Sequence, residues 1–494
     1  MKNRTRIIFR ADGSSRIGLG HVVRSLALAD MLRDAYECVF AIQEPGKELE
    51  AKIRKVCHGL IVLPQCAPTE DRFLYELTAY VSEEEIVVLD GYHFNTDYQL
   101  QLKLKGAALV CIDDIHEYKF LADAVINQAG DIRAEAYTTA PYTKLYLGPK
   151  YALLRAPFLN AAKEAYTYPT GKLRLLLNMG GADPNNVTLQ LAGEIASIEA
   201  IEQLEIVVGS AYLHLAALQA WLKKNSKCQL QQALSAEEMC KLMQSCQAAV
   251  TSPSGVAYEY CAAGGILYLY QTAENQAGIY NFLIKEALAT PYAGLKASLQ
   301  PAATPTLHQQ YVTQQRRFFD GNSIERLQQL FTQLSFSAKL AMREVRQDDM
   351  MLLFHWSSDP AVRIRSFNKE PIPLEVHKIW FQTKLADLNC ILYIAELEGE
   401  PAAHIRFDIE DNVAIISYLI AENFRGKGLG HTVLQKGIAA LRKDRLGIQV
   451  VEGLVQQDNT PSVRAFEKAG FTYGAPSVQF PNAFRFVLRP ESIV

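Results

Sequence analysis

The sequence lacks the features that identify disulfide-rich, zinc-binding or secreted proteins. Its nine cysteines, an odd number among 494 residues, are scattered and include no Cys-x-x-Cys pair. This spacing argues against a disulfide framework or a zinc site, so we expect reduced thiols and no metal ion. The first ten residues, MKNRTRIIFR, lack the apolar core of a signal peptide.

Charge and hydrophobic runs argue against two further classes. The net charge is −3 and no block of Lys or Arg is present, so the sequence does not indicate a positively charged surface that would bind nucleic acid. The longest apolar run, residues 255–270, is interrupted by Glu259 and a Gly-Gly pair and is too short to span a bilayer. We therefore expect a cytoplasmic protein with neither nucleic-acid nor membrane partners, of about three folding units.

Apolar strand-like runs alternate with helical patterns over about the first 300 residues. The alternation pauses at a Pro- and Tyr-rich connector, residues 156–170, and restarts at residues 173–177. Short apolar runs separated by helices predict two successive doubly wound, parallel α/β units. Such a pair places a ligand cleft between its halves, where the strand ends face each other.

The segment from Arg10 to His21, RADGSSRIGLGH, follows the first predicted strand and opens a helix. Backbone amides and the helix dipole at such a junction can hold an anion. His21 adds a side chain whose free pKa lies near neutral pH. We interpret the segment as an anion-binding loop with a candidate proton acceptor at its edge; the alternative is a histidine that only packs or binds phosphate.

Three polar loops follow strands of the second α/β unit, at residues 178–186, 252–259 and 271–276. In the first, Pro184 suits an opening helical turn and Asp183 is a plausible cap. Each loop alone is equally typical of an ordinary strand–helix turn. Together the three loops predict a binding site for a nucleotide diphosphate, the diphosphate seat.

Several spaced motifs of the first 334 residues occur in a recognisable order: Gly18-Leu-Gly-His21, Val87-Val-Leu-Asp90, Ile112-Asp-Asp114, Leu147-Gly-Pro-Lys-Tyr-Ala-Leu-Leu-Arg155, Gly180-Gly-Ala-Asp183, Ala273-Glu-Asn-Gln276 and Asp320-Gly-Asn-Ser-Ile-Glu-Arg326. Together they resemble the nucleotide-sugar hydrolase of pseudaminic acid biosynthesis, a relative of the two-domain (GT-B) glycosyltransferases. The resemblance implies removal of UDP from an acetylated trideoxy-altrose, with water attacking and inverting the anomeric carbon.

In that resemblance His21 is the general base on the attacking water, a role typically worth ~10²–10⁴ in rate. Its loop then lies opposite the diphosphate seat, where the glycines allow the backbone to approach the sugar. Asp12 is the second catalytic candidate, although strand-end aspartates are as often caps or loop formers. The substrate-binding candidates are Arg10, Gly20, Asp90, Tyr92, Gly181, Asp183, Ser254, Glu259, Asn275 and Gln276.

Glu259 is expected on the first turn of a helix that Ser254 could cap. The resemblance to GT-B proteins implies that this carboxylate accepts both ribose hydroxyls. On physical grounds alone, an acid favoured by the helix dipole is an equal alternative.

The last third of the chain follows a different pattern. Arg425-Gly-Lys-Gly-Leu-Gly430 follows a predicted strand and exposes consecutive amides to a pyrophosphate, without matching a P-loop. Downstream lies Asp458-Asn-Thr-Pro-Ser-Val-Arg-Ala-Phe466. The two motifs at this separation resemble the GCN5-related N-acetyltransferase (GNAT) family over about residues 341–488. The implied mixed α+β fold would take acetyl-CoA as cosubstrate, bound by Leu419, Ile420, Arg425, Gly426, Lys427, Gly428, Gly430, Asn459 and Ser462.

One departure from the GNAT pattern concerns the acid for the departing thiolate. Many members place a tyrosine where this chain has Phe466, so Tyr418, Tyr473 or a water would have to substitute. The base for the amine is open among Glu422, His404 and His431. Residues 356–363, 366–368 and 377–381 resemble members that act on 4-amino nucleotide sugars, which implies that they line the sugar pocket.

Three domains are predicted, at residues 1–160, 161–335 and 340–494. The fusion implies consecutive steps: acetylation of the 4-amine of UDP-4-amino-4,6-dideoxy-N-acetyl-β-L-altrosamine, then inverting hydrolysis of UDP-2,4-diacetamido-2,4,6-trideoxy-β-L-altropyranose. Two alternatives stay open. One is a UDP-dependent glycosyltransferase with an attached acetyl-CoA-binding regulatory module, and the other is the same two reactions on a different diamino-trideoxy UDP-sugar. The oligomeric state is not predicted.

Overall fold

The computed structural model describes residues 4–13, 19–181, 183–209, 211–299, 304–445, 447–477 and 479–489. The described residues form three α/β units, each built on its own large sheet. The fold class expected from the sequence is confirmed: parallel sheets in the first two units and a mixed sheet in the third. None of the helices in the described ranges has the length and apolar character needed to cross a membrane.

The first unit has a seven-stranded parallel sheet in the order β3-β2-β1-β4-β5-β7-β9. Strands β4 and β5 are buried along their whole length, which explains why they read as continuous apolar runs. The elements are β1 (Arg6–Ala11), α1 (Gly20–Leu32), β2 (Glu37–Gln43), α2 (Lys47–Val56), β3 (Gly59–Leu63), β4 (Ile86–Asp90), α3 (Thr96–Leu104), β5 (Ala108–Ile112), β6 (Lys119–Phe120), β7 (Ala124–Asn127), β8 (Thr138–Thr139), β9 (Lys144–Leu147) and α4 (Ala156–Lys163).

The second unit has a six-stranded parallel sheet in the order β12-β11-β10-β13-β14-β15. Its elements are β10 (Arg174–Asn178), α5 (Val187–Ala196), β11 (Gln203–Val208), α6 (Leu215–Leu222), β12 (Cys228–Gln232), α7 (Ala236–Ser245), β13 (Ala248–Thr251), α8 (Gly255–Ala263), β14 (Ile266–Leu269), α9 (Ala277–Lys285), β15 (Thr290–Pro291), α10 (Leu295–Ser298), α11 (Thr304–Gln315) and α12 (Ser323–Lys339).

The third unit has a mixed sheet in the order β16-β17-β18-β19-β20-β22-β21, in which only β19 and β20 pair in parallel. Its elements are β16 (Leu340–Glu344), α13 (Met350–Ser358), α14 (Pro360–Arg363), α15 (Leu374–Ala386), β17 (Cys390–Leu397), β18 (Glu400–Glu410), β19 (Val413–Ile420), α16 (Gly430–Asp444), β20 (Val450–Gln456), α17 (Thr460–Lys468), β21 (Thr472–Tyr473) and β22 (Ala483–Leu488).

One apolar core extends across the first two units. It includes Phe9 and Phe40 of the first sheet as well as Tyr258 and Phe282 of the second unit. The backbone approaches so closely here that a Cβ on Gly130 would lie 2.0 Å from the Phe282 ring. This shared core joins the first two units.

Helix α12 connects all three units. Ser335 of this helix hydrogen-bonds Thr5 at 2.7 Å, and Gln328 donates to the carbonyl of Met31, so the helix lies against the first unit. Its last residue, Lys339, passes directly into β16 of the third unit. There Lys436 of α16 donates to the carbonyls of Ala338 and Leu340, where a cation also complements the negative end of the helix dipole.

Candidate active sites

His21 and Asp90 meet at the carboxyl edge of the first sheet. His21 is the second residue of α1, and Asp90 is the last residue of β4. Because β1 and β4 are parallel neighbours, the helix that follows β1 begins beside the end of β4. The His21 Nδ1 atom lies 2.7 Å from Asp90 Oδ1, across 69 residues of sequence.

Asp90 is fully buried, and three side chains from α1 surround its carboxylate. Arg24 reaches Oδ1 at 2.7 Å and Ser25 donates to Oδ2 at 3.0 Å. Burial alone would raise the pKa of Asp90, but the Arg24 charge and the hydrogen bonds from His21 and Arg24 outweigh it and hold the pKa below its usual range. Asp90 is therefore ionised at neutral pH, and Arg24 also pairs with Asp114 at 2.9 Å.

The ionised Asp90 determines the tautomer of His21. A carboxylate can only accept, so the 2.7 Å contact assigns the proton to Nδ1, even though an Arg24 nitrogen lies 3.1 Å from the same atom. In the neutral imidazole, Nε2 is then left as the proton acceptor. The Tyr92 ring packs against the imidazole at a near-perpendicular angle, with centroids 4.8 Å apart, and further restricts its orientation.

Arg10 and Asp12 form a second charged group beside β1. The Arg10 side chain is wholly enclosed, 2.8 Å from Glu76 and 2.7 Å from Asp12. Asp12 also accepts from the backbone amide of Gln43 at 3.0 Å and stays partly exposed at the sheet edge. Arg10 therefore anchors Asp12, and its guanidinium is not accessible to a ligand. Gly18 of the loop lies outside the described residues, whereas Gly20 opens α1.

The carboxylate of Asp183 caps helix α5. It accepts from the amides of Val187 at 3.0 Å and Thr188 at 2.7 Å and is buried. These bonds satisfy part of the helix start, so the α5 amides are less available to a diphosphate. Gly180 has a positive φ of 97°, and the exposed Gly181 follows it.

Helix α8 begins without a side-chain cap from Ser254. Its Glu259 lies in the second turn, so the expected first-turn position is wrong. The prediction failed because the helix begins directly after Ser254, four residues before Glu259. Arg155, just before α4, binds both Glu259 oxygens, at 2.7 and 2.8 Å, and so links the two units.

The loop before α9 is held by Gln276. Its side-chain oxygen accepts from the Thr272 amide at 2.9 Å, which fixes the turn between β14 and α9. The side chain of Asn275 lies outside the described part of the chain. No group of His, Cys, Asp and Glu arranged to hold a metal ion is found among the residues described.

In the third unit, β19 and β20 pair only from Val413/Val450 to Ile416/Gly453 and then separate. The ends of both strands, including Leu419 and Ile420, therefore border a split in the sheet. A Cβ on Gly453 would lie 2.3 Å from the Phe466 ring, which packs at the base of the split. A split of this kind leaves unpaired strand edges that can bind an extended ligand.

The glycine-rich loop lies between β19 and α16. Gly426 and Gly428 have φ values of +76° and +77°, and a Cβ on either would meet no atom within 4 Å. Arg425 fixes the start of this loop by pairing with Asp359 and donating to the Ile420 carbonyl at 3.0 Å. Gly430 then begins α16, whose first amides face the same loop.

Lys427 lies in the same loop, on the side of α12. Its ammonium is 4.9 Å from the centroid of Phe424 and 5.8 Å from that of Phe336 in α12. Asn459 caps α17 by accepting from the Ser462 amide. The loop and the start of α17 therefore flank the split from both sides.

Tyr418 of β19 lies beside both of these elements. Its hydroxyl lies 3.0 Å from Ser462, and a Cβ on Gly430 would be 3.5 Å from it. The Tyr473 hydroxyl instead donates to Glu467 on the surface. Phe466 is buried and packs on Phe471 and Phe486.

The two histidines named as candidate bases are both held neutral. Burial lowers the pKa of His404 to about 3, aided by Arg406 and His377. Burial also lowers the pKa of His431 to about 4, with Lys144 of the first unit acting in the same direction.

Several residues with clear structural roles carried only a weak sequence signal. Arg24 lies three residues after His21, so helical periodicity places both on one face of α1. Arg155 is the last residue of the motif at residues 147–155, although nothing local indicates its partner, Glu259, 104 residues away. Asp359 lies within residues 356–363, although nothing there indicated its pairing with Arg425, and Glu76 had no local signal.

Residues 350–471 match the model of the acetyltransferase (GNAT) family. The chain belongs to the GNAT family through this C-terminal domain. An uncharacterized protein of Methanocaldococcus jannaschii is 25% identical over 484 residues, which cover 94% of this chain and 96% of that one.

Two further relatives match the region before the GNAT domain. The UDP-2,4-diacetamido-2,4,6-trideoxy-β-L-altropyranose hydrolase of Campylobacter jejuni is 27% identical over 295 residues, 58% of this chain and 99% of that one. A spore coat polysaccharide biosynthesis protein of Bacillus subtilis is 27% identical over 271 residues, 54% of this chain and 77% of that one. The predicted fusion of a hydrolase-like region with a GNAT domain is confirmed.

Proposed function

We propose that this chain carries out two consecutive reactions on one UDP-linked amino sugar. The GNAT domain acetylates the 4-amine of UDP-4-amino-4,6-dideoxy-N-acetyl-β-L-altrosamine. The first two units then hydrolyse UDP-2,4-diacetamido-2,4,6-trideoxy-β-L-altropyranose to the free sugar and UDP. The observation that carries the hydrolytic step is the 2.7 Å contact between His21 and the buried, ionised Asp90. The similarity to the Campylobacter hydrolase supports the choice of sugar.

In the hydrolytic step, Nε2 of His21 takes a proton from water as the water oxygen bonds to the anomeric carbon. The bond from that carbon to the diphosphate oxygen breaks, and its electron pair leaves with UDP. Attack from the face opposite UDP inverts the anomeric carbon. Asp90 stabilises the imidazolium that forms, because its negative charge lies 2.7 Å from Nδ1.

The leaving UDP is held by backbone amides and the positive end of a helix. We assign the diphosphate to the first turn of α8 after Ser254 and to the backbone at Gly181, with the loop of Gln276 completing the seat; Asn275 stays a predicted contact. Glu259 accepts the ribose hydroxyls. Its ion pair with Arg155 then positions it where the two units meet.

The sugar lies between this seat and the His21 edge. Tyr92, Gly20 and the exposed part of Asp12 line that edge. Arg10 acts indirectly by holding Asp12, and Asp183 acts indirectly by holding the start of α5.

In the acetylation step, the acceptor nitrogen bonds to the acetyl carbon and gives up a proton to water, the carbon–sulfur bond breaks, and its electron pair leaves with the sulfur of CoA. The sulfur gains a proton and CoA leaves as the thiol, and the proton released to water restores the acid that protonated it. The amides of residues 425–430 hold the pyrophosphate of acetyl-CoA, and Leu419 and Ile420 pair with its pantetheine arm. We assign protonation of the thiolate to Tyr418, whose burial raises its pKa and keeps the hydroxyl protonated. Its position beside Ser462 and Gly430 supports this over Tyr473.

The proposal is tested with the full chain, acetyl-CoA and the UDP-linked 4-amino sugar. We expect release of both CoA and UDP, with UDP release depending on acetyl-CoA. Preacetylated substrate, as the control, should release UDP without acetyl-CoA. CoA release without UDP would contradict the hydrolase assignment, and UDP release that needs an added acceptor would indicate a glycosyltransferase. Mass spectrometry of the sugar product across a panel of UDP-4-amino sugars identifies the substrate.

A further inference from the structure

A cleft of about 440 Å³ opens in the GNAT domain where β20 ends. Residues from three separate segments line it: the loop after α14, the end of β20 and the turn before β22. The lining groups that bear on its chemistry are Phe367, Lys369, Gln456, Asp458, Phe480 and Asn482. Its volume is in the range of pockets that bind small molecules, roughly 300–1,000 Å³.

Hydrogen bonds fix the loop after α14 against the cofactor-binding elements. Gln456 at the end of β20 donates to the Ser366 carbonyl at 2.9 Å. Arg365 donates to the Asn459 side chain at 3.0 Å, and Asn459 caps α17. The cleft therefore adjoins the split between β19 and β20.

An aromatic pair lies at the wall of the cleft. The ring centroids of Phe367 and Phe480 are 4.3 Å apart, and Phe367 is still 42% exposed. The exposed face of an aromatic ring in a concave site is apolar surface in contact with water. A second planar group that stacks on the ring would remove that surface from water. Nucleobases are the common planar partners, because every base has a π-face that stacks on aromatic side chains.

The polar lining suits a neutral, hydrogen-bonding base better than a polycation. The carboxamides of Gln456 and Asn482 each contain donor and acceptor groups, which complement the alternating donor and acceptor edge of uracil. Lys369 and Asp458 carry opposite charges, so the cleft lacks the acidic excess that a polyamine would require.

We propose that this cleft binds the uridine diphosphate part of the acceptor of the acetyltransferase. Uracil stacks on Phe367 and Phe480, Lys369 faces the diphosphate, and the amino sugar extends past Asp458 to the split. This inference rests on the proposed function, and it gives the chain a second uridine-binding site, separate from the α8 seat. The acetylated intermediate must then leave one uridine site before the other can bind it.

The test measures initial rates of CoA release by the full chain, varying the acceptor at saturating acetyl-CoA and, separately, acetyl-CoA at saturating acceptor. For Phe367→Ala and Phe480→Ala, we expect the KM of the UDP-linked amino sugar to rise about fivefold or more, since each variant removes an aromatic ring on which the base stacks. The KM of acetyl-CoA should not change, nor should the KM of the methyl glycoside of the same amino sugar, which lacks uridine. Phe367→Trp should restore the KM of the UDP-linked sugar.

Leu388→Ala is the matched control, because it removes an 81% exposed apolar side chain of the same domain that does not line the cleft. Uridine monophosphate should compete with the acceptor in the unmodified protein and lose this effect in Phe367→Ala. An unchanged KM in both Phe variants, with competition intact, would overturn the cleft assignment while leaving the two activities standing. Absence of CoA release from every variant and from the unmodified protein would instead refute the proposed function. An unchanged KM for acetyl-CoA confirms that each variant is folded.

Discussion

At the scale of single residues, the hydrolase site depends on one buried carboxylate. Asp90 has no exposure to solvent, yet it accepts from His21, Arg24 and Ser25. A buried ion that is fully hydrogen-bonded retains its charge, whereas the loss of one partner leaves the others unsatisfied. Asp90 is therefore a positioning residue, because it acts on the substrate only through the imidazole of His21.

The substitution Asp90→Asn tests this positioning role. The substituted side chain would offer a neutral amide in place of the carboxylate, so the tautomer of His21 and the charge opposite its imidazolium are both lost. We expect kcat for UDP release to fall by ~10²–10⁴, with a changed pH profile and unchanged CoA release. His21→Ala should abolish UDP release and also spare CoA release.

Asp131→Asn is the control for this prediction, because Asp131 pairs with Lys285 at an exposed position and takes no part in the contacts of His21 and Asp90. It should leave UDP release unchanged. Loss of CoA release in His21→Ala would mean that His21 supports the fold rather than the chemistry.

The sequence alone identified His21 and Asp90 as separate candidates but did not connect them. Helix starts and strand ends are local features, and local patterns reveal them. Their contact depends on the order of strands in the sheet, in which β4 lies next to β1 while β2 and β3 lie on the other side. No residue near either position encodes that order.

At the scale of elements, the GNAT loop depends on two glycines with positive φ. Gly426 and Gly428 adopt conformations that other residues reach only at a cost, and this turns successive amides toward one side. The sequence alone identified this motif, because its glycines lie close together. The split between β19 and β20 was not identified in this way, since it depends on where two strands separated by helix α16 stop pairing.

We predict that Gly428→Val abolishes CoA release at ordinary acetyl-CoA concentrations and spares hydrolysis of preacetylated substrate. The added side chain would project into the open space that the loop leaves for a ligand, and the positive φ adds about 1–2 kcal/mol of strain. Binding of acetyl-CoA, measured by calorimetry, should weaken at least tenfold.

Gly399→Val is a closely matched control. Gly399 turns the chain between β17 and β18 with φ +83° and open space around its Cβ, so the backbone strain is similar. We expect comparable destabilisation with normal acetyl-CoA binding. Equal loss of binding in both variants would show that strain, not occupancy of the loop, causes the effect.

At the scale of the whole molecule, three histidines in different regions are kept neutral by the fold. Burial lowers the pKa of His308 in α11 to about 4, of His404 in β18 to about 3, and of His431 in α16 to about 4. In the unfolded chain each would titrate near 6.5. Below that pH the unfolded state binds protons that the folded state does not, so stability is present above pH 6.5 and falls as the pH is lowered toward 4.

We therefore predict that the free energy of unfolding decreases between pH 7 and pH 5. For His404 alone the loss at pH 5 is about 2 kcal/mol, given the separation of its folded and unfolded pKa values. Urea unfolding followed by tryptophan fluorescence measures it, because Trp356 and Trp380 lie in the GNAT domain. His404→Gln should reduce the pH dependence by about this amount, and an identical dependence in the variant would contradict the assignment.

Helix α12 shows where the sequence and the tertiary structure differ at this scale. The sequence predicts a boundary between residues 335 and 340, where the pattern of elements and motifs changes. In the structure one helix continues through that point to Lys339, contacts the first unit through Ser335 and leads directly into β16. Hydrogen bonds from Lys436 and between Ser337 and Thr432 hold the GNAT domain to it. The three domain bounds that we expect from the sequence therefore stay predictions.

The sequence by itself determined the kinds of unit, their order along the chain and the two motifs that identify the GNAT domain. These features depend on short-range periodicity and on glycines, caps and strand ends a few residues apart. Only the tertiary structure decided which distant side chains meet: His21 with Asp90, Arg155 with Glu259, and Phe367 with Phe480. The physical reason is that strand order and packing bring the ends of elements together regardless of their separation in sequence.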